Sequence, residues 1–533
     1  MPMAVEPDVR GPASLGSSPT PSSEPRNGVP RGLVAALTIL GFALPMIAYL
    51  YFVHHYAVNM IWLDQWNDIA VISHAYSHTL GLDTLWGQHT QDRIFFPNLI
   101  VVALAYTTHL NVVVEEYLSA VMLIGSTALL IFAHRRRSPG RPWIFYCPVA
   151  IVMLSFVQFR DTLWGFQLDW YLTVLALGAA LYLLDTVSSS MWVFACAVAA
   201  GVIGSFSSLE GLLIWPVGLV LILVRGRPRA ILASWIAAGL VSGALYFYNF
   251  SFSQSTASNS ALTHPVQAAE TFFFNVGNVM EVSRSGSGEY ASYLIGILLF
   301  LLAIYVVIAY GLRRNRSDGS PIGVALVIFG LLFTTLVTLG RSSYGQALDS
   351  RYALFDNLIA VGCYLAIFEP PTLRLRSHTR SLVYKDDRMA RVFGLPTEHS
   401  PGRRWDENLR MAGKGLIALA IVLLAVIGTS NGIKGAAAWH QKELLTVDVT
   451  VNMDTAPDSL VKSAVFFARP GRVLPQVTTP MSVVRFIRNE NAVAQRHHLS
   501  LFNTGSVAEF RKLGLPRETT VVAIAKGSTL SGN

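Results

Sequence analysis

The sequence is poor in charged residues. Asp, Glu, Lys and Arg together make up 14% of its 533 residues, whereas 52% are hydrophobic and the mean hydropathy is +0.46. A soluble domain typically has about a quarter of its residues charged. The composition therefore excludes a soluble globular protein and predicts an all-α polytopic membrane protein.

Cysteine is also scarce. Cys147, Cys196 and Cys363 each lie within an apolar stretch, a placement that favours neither a disulfide framework nor a thiolate metal site. The sequence further lacks a soluble nucleotide-binding motif, a HExxH zinc motif and the internal repeat typical of inverted-repeat transporters.

Apolar stretches long enough to cross a bilayer, about 17 to 25 residues, recur along the chain. Short loops rich in Lys and Arg stay in the cytoplasm, so the runs at 135–141, 225–229 and 313–316 and the basic loop 374–414 should share one side with the N-terminus. The N-terminus and the first basic run lie on the same side only if the chain crosses the membrane an even number of times between them, so one of the apolar stretches in that interval does not cross. The stretch 94–110, which contains Pro97, is the weakest candidate for a span. By this parity argument we expect it to be a helix on the membrane surface. The predicted spans, about eleven in number, are 33–53, 113–134, 143–159, 164–184, 191–207, 210–224, 230–249, 291–311, 321–340, 352–368 and 414–430.

The two ends of the chain differ in composition from the spans. Residues 1–32 are rich in Pro, Ser and Gly and are predicted to be a disordered cytoplasmic tail, whereas residues 33–430 form the membrane domain. Residues 431–533 have an ordinary soluble composition and predict a small α+β C-terminal domain on the outer face. In this domain DSLVKSAVFFAR and MSVVRFIRNENAVAQR are typical of helices, and LLTVDVTV and TTVVAIAKG alternate like strands.

The loop that follows the first span holds the densest set of ionisable residues. Its WLDQWND segment places Asp64 and Asp68 one helical turn apart, so that both can share a face. Ionisable groups beside apolar spans are costly to hold and often line a pathway or a reaction site. Asp64 is thus a candidate general base and Asp68 a second catalytic candidate. The alternative is that the two acids cap a surface helix whose tryptophans form an interfacial belt.

The same loop continues with QHTQDRIFFPNL, which places Asp92 and Arg93 just before the surface helix. Both are candidate substrate-binding residues, and the alternative is an ion pair that anchors the helix. His74 and His78 have the i, i+4 spacing of a metal-binding pair, and interfacial hydrogen bonding is the alternative. No cofactor is assigned, and a divalent metal is left open.

More polar residues are expected on the outer side. RSSYGQALDSRY contains Arg341, Tyr344 and Arg351, and guanidinium groups bind phosphate bidentately, with the tyrosine hydroxyl as a further donor. The alternative for the arginines is snorkelling at span ends. FRDTLWGFQLDW adds Gln167 as a candidate substrate-binding residue. Acids in that segment and in SSLEG either line the same cavity or cap spans: Asp161, Asp169 and Glu210.

The layout resembles the glycosyltransferase C superfamily, which includes the protein O-mannosyltransferases and the aminoarabinose transferases that modify lipid A. The likeness lies in the acid shortly after the first span, in a loop helix introduced by FFPNL, and in many spans followed by an outer-face domain. It covers about Leu33 to Ile427. Members commonly carry a pair of acids, whereas here Asp64 is followed by Gln65.

The resemblance implies an inverting hexosyl- or pentosyltransferase of the bacterial inner (plasma) membrane. Such an enzyme takes a sugar from a polyprenyl-phosphate donor in the lipid bilayer and transfers it to a cell-envelope acceptor. It implies that Asp64 deprotonates the acceptor hydroxyl, that Arg351 with Arg341 stabilises the departing phosphate, and that Asp68 or Asp92 orients the acceptor. Nucleic acid is not an expected partner.

Two rival functions are kept. A lipid-linked-sugar flippase or another polytopic transporter would also use polar groups that face a cavity, and ionisable residues at mid-span depth would favour it. A non-catalytic membrane scaffold would bind a partner through its C-terminal domain. The scaffold would show no dependence on Asp64, Arg341 or Arg351.

Overall fold

The computed structural model describes residues 30–61, 63–186, 190–251, 260–280, 287–311, 319–341, 350–368, 401–451, 453, 461 and 481–503. These residues form helices and one short antiparallel hairpin of two strands, β1 (Gln88–His89) and β2 (Asp92–Arg93). The helices, in chain order, are α1 Arg31–Tyr56, α2 Trp66–Tyr76, α3 Leu82–Leu85, α4 Phe95–Thr108, α5 Val112–Arg137, α6 Cys147–Met153, α7 Phe159–Thr162, α8 Leu168–Leu184, α9 Met191–Ser205, α10 Ile214–Val224, α11 Arg229–Phe247, α12 Ser260–Thr263, α13 Pro265–Val276, α14 Ser287–Gly311, α15 Ile322–Arg341, α16 Ala353–Ile367, α17 Pro401–Val451 and α18 Met481–Arg496.

The protein is an all-α multi-pass membrane protein. Among the described residues, eight helical segments are long and apolar enough to cross a bilayer, and each coincides with one of the predicted spans. One of them, Trp143–Thr162, consists of α6 and α7 with two 3-10 turns. The three remaining predicted spans correspond to shorter helices. These are α9, α10 and α16, which have 15, 11 and 15 residues.

Helix α4 occupies the stretch that the parity argument removed from the list of spans. Its 14 residues extend about 21 Å, which is less than the roughly 30 Å thickness of a bilayer core. One face, which includes Val101 and Ala105, is buried, whereas Leu99 and Tyr106 on the other face are 41% and 54% exposed. Helix α4 therefore presents an apolar face outside the bundle, and its position on the membrane surface stays a prediction.

Basic residues from separate loops meet at one end of the bundle. The buried Asp185, at the end of α8, lies 2.5 Å from the Nε of Arg225 and 3.2 Å from the Nε of Arg137. Arg141 donates to the Phe368 carbonyl beyond α16. The prediction that the runs 135–141 and 225–229 lie on one side is therefore confirmed, while the run 313–316 lies outside the described residues. Arginine at helix C-termini also complements the negative end of the helix dipole.

Helix α17 packs against the bundle through glycine. A side chain at Gly432 would overlap the backbone carbonyl of Phe156, and one at Gly428 would overlap the carbonyl of Val279. These glycines have the GxxxG spacing that lets helices approach closely in membranes. The helix therefore fixes the 3-10 turn Phe156–Gln158 on the side of the bundle opposite the arginines.

The C-terminal segment covers the end of the bundle opposite the arginines. Helix α18 packs on α2, with Val484 and Ile487 in a hydrophobic cluster that also contains Trp66, Val101 and Ala105. Beyond α18, the Ser500 amide donates to the His109 carbonyl at 2.7 Å. The first loop and the described part of the tail thus lie on the same side, as predicted.

The C-terminal predictions have mixed outcomes. MSVVRFIRNENAVAQR is a helix, as predicted, but the strand prediction for LLTVDVTV is wrong because these residues form the last turns of α17. Their buried positions, Thr446, Val447 and Thr450, have helical spacing, and both threonine hydroxyls donate to the carbonyl four residues earlier. Helix α17 also continues through residue 431, where the domain boundary was predicted. The other segments, 458–469 apart from 461 and 519–527, lie outside the described residues.

Candidate functional site

Asp64 lies in a tight 3-10 turn, Leu63–Gln65, between the first span and α2. The turn begins with Leu63 in the left-handed region, at φ 49°. The Asp64 side chain is 44% exposed, and its Oδ1 lies 3.6 Å from Nε2 of His89, whose side chain is only 15% exposed. The site therefore presents an accessible carboxylate beside a mostly buried imidazole.

The electrostatics of His89 follow from this neighbourhood. Burial opposes a charge on the imidazole, but the contact with Asp64 and the negative charges of Asp64 and Asp92 outweigh it. The pKa of His89 is raised above its ordinary value as a result. The charged form of His89 is therefore more favourable here than in a free imidazole.

The β1–β2 hairpin that carries His89 is tied to the end of α11. The side-chain amide of Gln88 donates through Nε2 to the Ser251 carbonyl at 3.0 Å. Its Oε1 accepts from the backbone N–H of Ser251 at 2.8 Å. The Tyr246 hydroxyl donates to the Gln91 carbonyl at 2.8 Å. Because these bonds join segments more than 150 residues apart in sequence, the loop is held in one position against the bundle.

Arg93 holds the same hairpin from its other strand. Its guanidinium group donates to the carbonyls of Tyr246 at 2.7 Å, Trp86 at 2.7 Å and Tyr248 at 2.6 Å. Burial lowers the pKa of Arg93 from its ordinary value, and the carbonyl oxygens compensate the charge of the side chain. This geometry supports an anchoring role for Arg93 more than contact with substrate.

Asp92, the neighbour of Arg93, connects the hairpin to another part of the bundle. Its Oδ1 accepts a hydrogen bond from the Leu209 amide at 2.8 Å. Leu209 lies within SSLEG and begins the 3-10 turn Leu209–Leu213, in which Glu210 follows it. The structure therefore brings the SSLEG segment to the first loop.

Several acids are buried behind Asp64. Asp68, Asp92, Glu115, Asp169 and Glu210 are all less than 8% exposed. Burial, together with the charges of Glu115 and Asp64, raises the pKa of the Asp68 carboxyl well above its ordinary value. Asp169 lies within electrostatic reach of Asp92, Glu210 and Asp68. Of the two acids in WLDQWND, Asp64 is therefore accessible, and Asp68 belongs to the buried acids.

A small pocket lies beside these acids. It is lined by Asp68, Asp169 and apolar residues of α4 and of the 165–168 turn, and its free space is about that of one water molecule. The pocket is therefore too small to hold a ligand larger than water.

Gln65, which directly follows Asp64, makes a hydrogen bond to a buried acid. It is fully buried, and its Nε2 donates to Oε2 of Glu115 at 2.9 Å. Gly165 lies directly over this pair, where a side chain would overlap the Glu115 oxygen. A carboxylate at position 65 would repel Glu115, so the buried amide suits this position.

An aromatic wall, formed by Phe166 and Trp164, runs from the Asp64–His89 pair to Arg351. The His89 ring lies 5.1 Å from Phe166, and Phe166 is stacked at 5.6 Å on Trp164. The Arg351 guanidinium carbon lies 5.7 Å from the Trp164 ring centroid, within cation–π range. The predicted base and one predicted phosphate-binding residue thus lie on one side of the bundle.

The remaining predicted residues have different outcomes. Gln167 is buried, and its Oε1 has no hydrogen-bond partner among the described residues. Arg341 ends α15, and Tyr344 lies outside the described residues. His74 is exposed and contacts Thr79, so it does not join the pair around Asp64.

Sequence reasoning missed His89 as the partner of Asp64. The hairpin that presents it turns through Thr90 at φ 51°, a position where Gly or Asn is usual, so the local hairpin signal is weak. In the described part of the chain, no group of three or more His, Cys, Asp or Glu side chains is arranged to hold a metal ion. Comparison of the chain with protein-family models, curated proteins and solved structures gave no match.

Proposed function

We propose that the protein is a membrane glycosyltransferase that moves a sugar from a polyprenyl-phosphate donor to a hydroxyl of a cell-envelope acceptor. The observation that carries the proposal is the accessible Asp64 carboxylate and the Arg351 guanidinium at the two ends of the aromatic wall. A base and a phosphate-binding cation are the two groups that this transfer requires.

The proposed reaction is a single inverting displacement. Asp64 accepts the proton of the acceptor hydroxyl while the oxygen of that hydroxyl forms a bond to the anomeric carbon of the sugar. The bond between that carbon and the phosphate oxygen breaks, and the polyprenyl phosphate leaves with the electron pair. Arg351 stabilises the negative charge that develops on the phosphate.

The separation of charge along the bundle supports an outward-facing site. The arginines around Asp185 lie at one end, and basic loops remain in the cytoplasm. Asp64 and α18 lie at the other end, which in this proposal is the outer face. A lipid-linked donor in the outer leaflet then reaches the site from the bilayer, without a soluble nucleotide sugar.

The distribution of buried acids favours transfer over transport. Glu115, Asp169 and Asp356 lie in the first turns of α5, α8 and α16, and Glu210 lies in the 3-10 turn before α10. Acids at helix N-termini are stabilised by the helix dipole. They gather at the end where Asp64 lies, whereas a transport path would place ionisable groups along the depth of the bundle.

The test uses the purified full-length protein with labelled polyprenyl-phosphate sugars and a pool of cell-envelope acceptors. We expect label to leave the lipid, and Asp64→Asn to reduce that rate by a factor of about 10²–10⁴. Asp83→Asn is the matched control, because Asp83 is an exposed acid of the same loop. A flippase would move the lipid-linked sugar across the bilayer with the sugar–phosphate bond intact. Label that stays on every lipid tested, or full transfer by Asp64→Asn, would refute the proposal.

A further inference from the structure

His89 is held more firmly than an ordinary loop residue. Gln88 and Arg93, which are partners in the hairpin register, make four hydrogen bonds to backbone atoms of residues 246–251. The His89 ring packs against Phe166 at 5.1 Å. The imidazole therefore has a fixed position, and Asp64, the more exposed partner, lies against it.

We propose that His89 is the positioning residue for Asp64, with its charged imidazole holding Oδ1 so that Oδ2 receives the proton of the acceptor. This inference rests on the proposed function. It assigns His89 no direct contact with the sugar or the phosphate. The proton passes from the acceptor oxygen to Asp64, and His89 keeps its own proton throughout.

The charged groups near His89 agree with this role. Asp64 and Asp92 are the carboxylates that act on it, and both favour the protonated ring. Their negative charges attract the positively charged imidazolium. Arg93, the nearest arginine in sequence, directs its guanidinium group to backbone carbonyls.

The position in the fold also separates His89 from the other histidines of the loop. His74 is exposed, and its Nδ1 lies 3.0 Å from the Thr79 hydroxyl. The His89 side chain, by contrast, lies at ion-pair distance from Asp64. His74 therefore provides a matched control in the same loop.

The test compares transfer kinetics of the full-length wild type with those of His89→Gln, His89→Arg and His74→Gln between pH 5.5 and 9. For His89→Gln we expect kcat to fall about fivefold, which corresponds to an ion pair worth about 1 kcal/mol, with little change in KM. The wild-type rate should fall as the pH rises through the pKa of His89, because the imidazolium is then lost. This alkaline fall should disappear in His89→Gln, and His74→Gln should match the wild type.

His89→Arg distinguishes charge from shape. Arginine stays protonated across the whole range, so this variant should keep more activity than His89→Gln above pH 8 and should lack the alkaline fall. A merely structural histidine would lower the amount of folded protein without changing the shape of the pH profile. Size-exclusion chromatography and thermal unfolding of each variant report that amount.

The outcomes separate the two proposals. If the wild type transfers sugar and His89→Gln keeps both its kcat and its alkaline fall, the role of His89 is refuted and the proposed function stands. If the wild type transfers no sugar from any lipid donor, the proposed function is refuted, and the role of His89 falls with it. A lower kcat with the alkaline fall removed supports the positioning role.

Discussion

Replacing Arg93 with lysine separates the two roles that the sequence allowed for this residue. If Arg93 served only as a positive charge beside Asp92, lysine would substitute for it at little cost. The structure instead uses three guanidinium N–H groups on the carbonyls of Trp86, Tyr246 and Tyr248. An ammonium group is a compact point charge and cannot span carbonyls in two separate segments. We therefore expect Arg93→Lys to be strongly destabilising.

The magnitude follows from the bonds that lysine cannot make. A hydrogen bond to a charged group contributes about 1.5–3 kcal/mol. A lysine at position 93 can make one of the three hydrogen bonds. The bonds to Trp86 and Tyr248 are only partly buried, so water offsets some of the loss. A free energy of unfolding lower by about 3 kcal/mol is expected for Arg93→Lys. Arg93→Met, which retains no donor, should lose more.

Buried thiols provide the assay. Cys147 and Cys363 are buried and Cys196 is exposed, so a thiol-reactive dye in a Cys196→Ser background reports unfolding of the bundle. The expected shift in melting temperature for Arg93→Lys is roughly 5 °C downward. Arg229→Lys is the control, because Arg229 is exposed at the start of α11. An Arg93→Lys protein that melts with the wild type would show that the carbonyl contacts do not stabilise the fold.

The remaining predictions concern packing and pH. Gly432→Ala should lower the melting temperature, because the new methyl group overlaps the Phe156 carbonyl. The new methyl group of Gly415→Ala, in the same helix, meets nothing within 4 Å. This variant should raise the melting temperature slightly, because alanine is about 1 kcal/mol more favourable than glycine in a helix. Equal shifts for the two variants would contradict the close approach of α17. Asp68→Asn should be more stable than the wild type at pH 8, and the difference should vanish towards pH 4. The reason is that the pKa of the Asp68 carboxyl is raised in the folded state. The folded protein therefore loses stability as the pH rises above the pKa that this carboxyl has in the unfolded chain. Thermal unfolding across pH 4–8 checks this, and a constant difference would contradict it.

Much of the membrane architecture could be predicted from local composition. The long spans coincide with helical segments because an apolar run in a membrane satisfies its own backbone hydrogen bonds, independently of its neighbours. The common side of the arginine runs 135–141 and 225–229 also followed from parity. The strand prediction at 444–451 was wrong, because alternating Val and Thr fits a strand locally while the continuous helix α17 satisfies the same residues.

The candidate site was only partly predictable. Asp64 was identified from its place after the first span, and Arg351 from the scarcity of arginine on the outer side. The assignment of Asp68 to the buried acids, and the carbonyl contacts of Arg93, needed the packing of α2 and α11 against the first loop. No periodicity within the loop distinguishes the accessible acid from the buried one.

The sequence alone determined which segments form long apolar helices and which end of the bundle gathers arginine, because the hydropathy of a segment and its basic flanks are local properties. The tertiary structure alone decided that His89 lies against Asp64, that Trp164 lies beside Arg351, and that the end of α11 holds the hairpin. These contacts join residues that are 25, 187 and 153 positions apart in the chain, counted from 64 to 89, 164 to 351 and 93 to 246. They arise when helices that formed separately pack against each other, and local residue patterns do not encode that step.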